Sequence, residues 1–204
     1  MVNSLLLSTG GIVAIVLGVV LGLLLIAAIC VVAWWIKTRN AFVKLKNMIE
    51  EAWSNIDIFL KKRFDLIPNL VETVKGFAKH ESETLERVIA ARNLGVNATT
   101  PEEKMAASKA MSGSLKMLFN VVSENYPQLQ ANANFLDLQN QLKGLEEELE
   151  ASRRYYNGVV KKFNTKLELF PDTIVGKRMG EGYEKKPYFE LDSEEERKNV
   201  KVQF

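Results

Sequence analysis

The sequence holds one cysteine, Cys30, and one histidine, His80, and that scarcity removes whole classes of chemistry. No disulfide can form within the chain, and a lone cysteine in an apolar run packs as a small hydrophobe. Carboxylate-bridged metal sites in helix bundles need two Glu-x-x-His pairs, whereas His80 has Phe77 three residues before it. A Ser-His-Asp arrangement would have to recruit His80 from the charged stretch "FAKHESE", which offers no nucleophile elbow. The glycines at 176, 180 and 182 match neither phosphate-binding fingerprint. The expectation is a protein without cofactor, metal or catalytic residue. Near-equal charge, 27 Lys+Arg against 25 Asp+Glu, also speaks against a nucleic-acid partner.

Charge is missing in a second way. From Gly11 to Ile36 the chain reads "GIVAIVLGVVLGLLLIAAICVVAWWI" without one charged side chain. As a helix this run reaches roughly 39 Å, enough to cross a hydrocarbon core about 30 Å thick. It lacks a basic n-region and a small-x-small cleavage site, so a removable signal peptide is the weaker reading. Cations are absent before it and follow at once after it, as Lys37, Arg39, Lys44 and Lys46. The positive-inside rule then puts the N-terminus outside and the long C-terminal part in the cytoplasm, with Trp34, Trp35, Lys37 and Arg39 anchoring the exit from the bilayer. Gly18 and Gly22 form a G-x-x-x-G that permits close approach of two spans, the basis for expecting a homo-oligomer.

Beyond the span, apolar residues recur at alternating steps of three and four. Phe42, Leu45, Ile49, Ile56, Leu60, Phe64, Ile67, Val71 and Val74 form one stripe, continued by Ala78, Leu85 and Val88. Such a stripe must be covered by other helices. Thr100, Pro101 and Glu103 make a capping box that opens a second helix, stopped at Pro127. The preceding "NLGVNATT" reads as loop, with Gly95 as a helix C-cap. A last long segment from about Asn134 to Phe170 ends at Pro171. After it, residues 171–204 lose the helical period and read as a tail. Its end, Val200, Val202 and Phe204, alternates in a way that suits recognition by a receptor or a sheet edge.

Two local features leave alternatives open. Charged stretches such as "EEELEASRRYY", with Glu150 four residues before Arg154, read as solvated helix faces, since such pairs contribute only about 0.2–0.5 kcal/mol each. Pro68, within "RFDLIPNLVETVKG", should cost about 3 kcal/mol in a helix by removing the hydrogen bond to the Phe64 carbonyl. Burial of Ile67, Leu70, Val71 and Val74 can offset that at about 1.5–3 kcal/mol each. A kinked continuation is therefore expected over a tight turn, and the bundle counts as three long segments or four.

Residues 50–81, "EEAWSNIDIFLKKRFDLIPNLVETVKGFAKHE", resemble the signature of the LemA family of bacterial membrane proteins. The resemblance continues through residues 126–157, through "NTKLELFP" at residues 164–171, and into the terminal "VKVQF". It implies a short outer segment, one transmembrane helix and a cytoplasmic helical bundle, with no enzymatic activity to carry across. It also implies an envelope role, since the family includes a protein needed for magnetosome membrane formation. Departures are small: Arg39 stands in place of a tyrosine, and Phe64 and Phe77 stand where tyrosine is frequent.

The expectation is thus an all-α protein with a short extracytoplasmic N-terminus at residues 1–10 and a transmembrane helix at 11–36. An antiparallel bundle of long helices follows at 37–170, and a C-terminal tail at 171–204. It would sit in the cell membrane as a single-pass scaffold, with the lipid bilayer, other copies of itself and unidentified membrane proteins as partners. The alternative is a regulatory adaptor for an envelope peptidase or stress pathway, with the tail as recognition peptide.

Overall fold

A computed structural model describes residues 2–78 and 81–189, with side chains from residue 11 onward. The elements are helices: α1 Val2–Lys75, α2 Ser82–Asn97, α3 Pro101–Asn125, α4 Pro127–Gln130, α5 Ala133–Glu168 and α6 Asp172–Gly176. No strand occurs among the described residues. These residues group into two units. One joins the chain up to Asn47 with Lys162–Lys185, and the other joins Met48–Lys161 with the described residues from Lys186 on.

The apolar run and the first bundle helix are one element. α1 holds 74 residues, about 110 Å at the standard rise. Large side chains from Ile12 to Val32 along it are exposed, with no cover from the other described residues. From Phe42 onward its stripe turns inward, and Ile56, Leu60, Ile67, Leu70 and Val74 are buried.

Helix α1 passes through Pro68 without interruption, with the proline on the exposed side. The carbonyl that the proline strips of its helical donor finds another: Arg92 Nε on α2 donates to the Phe64 oxygen at 3.3 Å. Reversal comes later instead. The stripe was expected to run in one segment to the end of what is α2, but α1 stops at Lys75. Gly76 costs about 1 kcal/mol inside a helix, and the Ala78 N–H closes the turn on the Val74 carbonyl at 2.8 Å. Ala78 keeps the buried phase while Phe77 is turned out.

Gly95 is likewise not a C-cap. It lies buried within α2, where a β-carbon would overlap the Phe64 ring, so its missing side chain sets how closely α2 approaches α1. The capping box at α3 forms as expected. Thr100 Oγ1 accepts from the Glu103 N–H at 3.2 Å, and Glu103 Oε2 accepts from the N–H groups of Thr99 and Thr100 at 2.8 and 3.1 Å. At the start of α5 the Asn132 side-chain oxygen accepts from the N–H groups of Asn134 and Phe135, at 3.0 and 3.1 Å.

The stretch from Pro171 to Phe189 is more ordered than a tail. It contains α6, and Val175 and Phe189 are buried. Val200, Val202 and Phe204 lie outside the described residues, as does His80.

Candidate functional site: an apolar helix, its collar and a buried arginine pair

In the first unit the exposed apolar helix ends in a collar. Trp34 and Trp35 are half-buried with ring centroids 6.4 Å apart and nearly perpendicular, and Lys37 and Arg39 are exposed just beyond. The end of α5 and the whole of α6 pack against this level of α1. Phe163 meets Phe42 edge-on at 6.0 Å, and the buried Thr38 hydroxyl donates to Asp172 Oδ1 at 3.2 Å. Lys166 Nζ holds the other Asp172 oxygen at 2.5 Å, and the Arg178 guanidinium lies 5.6 Å over the Trp35 ring. Gly176 makes the close approach possible, since a β-carbon there would lie 2.7 Å from Leu167 and 3.2 Å from Phe42. Lys46 stacks over Tyr183 at 5.2 Å. Gly18 and Gly22 have nothing within 4 Å of where a β-carbon would stand, so that face of α1 is open.

The second unit carries a charged cluster inside its core. Arg63 and Arg153 are both buried although each bears a guanidinium. Arg63 Nη1 contacts Glu146 Oε2 at 2.6 Å and its two terminal nitrogens reach Ser112 Oγ at 3.2 Å. Arg153 donates to Ser108 Oγ at 2.6 Å and lies 3.7 Å from Glu146 Oε1. Glu146 is thus shared by two cations, one from α1 and one from its own helix. This corrects the reading of "EEELEASRRYY" as a wholly solvated face. Arg154 does pair with Glu150 in solvent, but the neighbouring Arg153 points inward. Its place four residues after Leu149 and three before Tyr156, both core residues, is the signal that periodicity carries.

Around Arg153 the chain's own segment Pro187–Phe189 is held as a ligand would be. The Asn157 side chain reads the Phe189 backbone twice, donating to its carbonyl and accepting from its N–H, both at 2.8 Å. The Tyr156 hydroxyl donates to the Pro187 carbonyl at 3.2 Å. Burial pushes the Tyr156 phenol above its ordinary value and Glu102 adds to the effect, so it stays a neutral donor. Trp53 flanks both Tyr156 and Phe189, and Arg153 lies 4.5 Å over the Phe189 ring.

A shallow cleft between α1, the end of α2 and the start of α3 is lined by Asp57, Phe64, Val96 and Lys104, with Lys104 paired to Asp57. Lys61 and Asp65 also line it, so its wall carries two charges of each sign. Among the described residues no group of three His, Cys, Asp or Glu could hold a metal. What the arrangement offers is an apolar helix needing cover, a collar at its end and a bundle locked by a buried ion cluster.

Comparison with known proteins follows the same outline. A family model described as the LemA family matches residues 52–204. The chain is also similar to the protein LemA of Metamycoplasma hominis, 26% identical over 149 residues. That match covers 71% of this chain and 66% of the relative, so the chain spans just under two thirds of the relative's length.

Proposed function

The chain belongs to the LemA family, and we propose that it acts as a membrane-anchored scaffold without enzymatic activity. The observation that carries this reading is α1 itself, a single helix whose exposed apolar part runs without a break into a packed bundle helix. Its apolar window is long enough to cross a bilayer, with a mean hydropathy of 3.3 and no burial among the described residues. In this reading the span fixes place, Trp34, Trp35, Lys37 and Arg39 mark the inner interface, and the bundle presents its charged faces to the cytoplasm. Gly18 and Gly22, open to a neighbour, support association of several copies.

A reporter fused after Phe204 is expected to be active only on the cytoplasmic side, and activity outside would overturn the orientation. Mass measurement of detergent-solubilised protein across a wide concentration range should find more than one copy per particle. A strictly monomeric particle would remove self-assembly from the proposal. The adaptor alternative draws support from the Asn157 and Tyr156 contacts, which fix the point from which the chain continues past Phe189. Deleting residues 190–204 separates the two. A scaffold keeps its assembly, whereas an adaptor loses its partner.

A further inference from the structure

The elbow between α5 and α6 exposes apolar side chains that the bundle does not use. Leu169, Phe170 and Ile174 are 57%, 80% and 42% exposed, grouped around Pro171. The level at which they stand follows from contacts within the same unit. Phe163 lies against Phe42, and the chain beyond it runs back toward the apolar end of α1, since Asp172 meets Thr38 and Arg178 meets Trp35. From Phe163 to the end of α5 at Glu168 a helical rise of about 1.5 Å per residue covers about 7.5 Å, and the same distance back along α1 from Phe42 reaches Lys37. The exposed apolar tip, between this level and the Asp172 and Arg178 contacts to Thr38 and Trp35, therefore stands near the tryptophan end of α1. Its two carboxylates are already engaged, Asp172 by Lys166 and Glu168 by Lys185. Lys177 and Arg178 follow α6 as exposed cations, Arg178 over the Trp35 ring, and Lys37 and Arg39 of α1 are exposed too.

We infer that this elbow is a second membrane contact. Leu169, Phe170 and Ile174 enter the interfacial layer of the bilayer that α1 crosses, while Lys177 and Arg178 bind anionic headgroups. The inference rests on the membrane anchoring proposed above and adds a lipid-binding surface from a distant part of the chain. Apolar tips ringed by cations suit such a surface, where the apolar part supplies depth and the cations supply preference for negative lipid. Continuity with the apolar helix favours lipid over a protein partner, because the patch lies beside a surface that lipid must already cover.

The test uses the full-length chain with Cys30→Ala and a single cysteine label, reconstituted in phosphatidylcholine vesicles with or without phosphatidylglycerol. Labels at Phe170→Cys and Ile174→Cys are expected to be quenched by a nitroxide carried at the lipid interface and shielded from an aqueous quencher. A label at Lys116→Cys, on an exposed face of α3, should behave the opposite way. Phosphatidylglycerol should enlarge the shielded population, and Lys177→Gln and Arg178→Gln should each reduce that gain, by up to about fivefold. A label at Leu24→Cys reports the anchor separately. If it is in lipid while position 170 behaves like position 116, the elbow inference is overturned and the anchor stands. If both are in water, the anchor falls and the elbow with it. Shielding of position 170 in native membranes but not in protein-free vesicles would assign the elbow to a protein and overturn the lipid reading.

Discussion

Pro68 shows how a single residue can join two helices by what it fails to do. Its missing N–H leaves the Phe64 carbonyl without a helical partner, and Arg92 supplies the donor from α2. The Phe64 ring meanwhile fills the space that Gly95 leaves open on that same helix. Backbone oxygen and side chain of one residue thus both face α2. Arg92→Ala is expected to cost about 1 kcal/mol in denaturant unfolding, below the range of about 1.5–3 kcal/mol for a bond from a charged donor because the site is half open to solvent. In a Pro68→Ala background the helix reclaims the carbonyl, and the cost of losing Arg92 should fall toward zero. Equal costs in both backgrounds would show that proline and arginine act independently.

Among the elements, α3 has the most explicit start. The Thr99 N–H, then the Thr100 N–H and the threonine hydroxyls, hold the Glu103 carboxyl below its ordinary value of 4.5. A depressed carboxylate contributes stability above its unfolded value and loses it as pH falls through the folded one. Stability should therefore drop as pH falls below about 4.5, and Glu103→Gln should flatten that part of the curve measured by denaturation over roughly pH 6 to 3. An unchanged slope in the variant would detach the capping box from the acid response. This helix start was legible because its signal is local: threonine, proline and glutamate at fixed offsets. So were the stripes, since burial follows a period of 3.6 residues, and Pro127 and Pro171 stand just past the ends of α3 and α5. Gly95 was not, because a glycine near a polar run reads as a cap, while its actual partner, Phe64, lies in another helix. Glu146 and Arg153 were not, because neighbouring charges read as a solvent-facing set until packing selects Arg153 alone for the interior. The elbow was legible only as a stop, since "LFP" says where a helix ends and nothing about the level at which it ends.

For the molecule as a whole, the Arg63–Glu146–Arg153 cluster joins α1 to α5 in the second unit. Buried ion pairs add little over an apolar core of equal shape, but removing one member leaves charge behind in the interior. Glu146→Gln is expected to destabilise the chain by about 2–3 kcal/mol, at or below the bottom of the range of about 3–5 kcal/mol for breaking a fully buried pair, since Glu146 is itself partly exposed. A loss under about 0.5 kcal/mol, the scale of a surface pair, would mean that groups other than Glu146 balance the two guanidiniums. The contact of Arg153 with Phe189 ties the same cluster to the segment after α6.

In the membrane-anchored reading, the other unit bears on motion in the plane of the bilayer. A lone transmembrane helix spins freely about its own axis and meets its neighbours with every face in turn. Thr38 and Asp172 hold the elbow toward the tryptophan end of this unit, and under the elbow inference that gives the unit two footholds at one depth. Under that inference the unit resists tilting against the bilayer, while it still turns freely about the membrane normal.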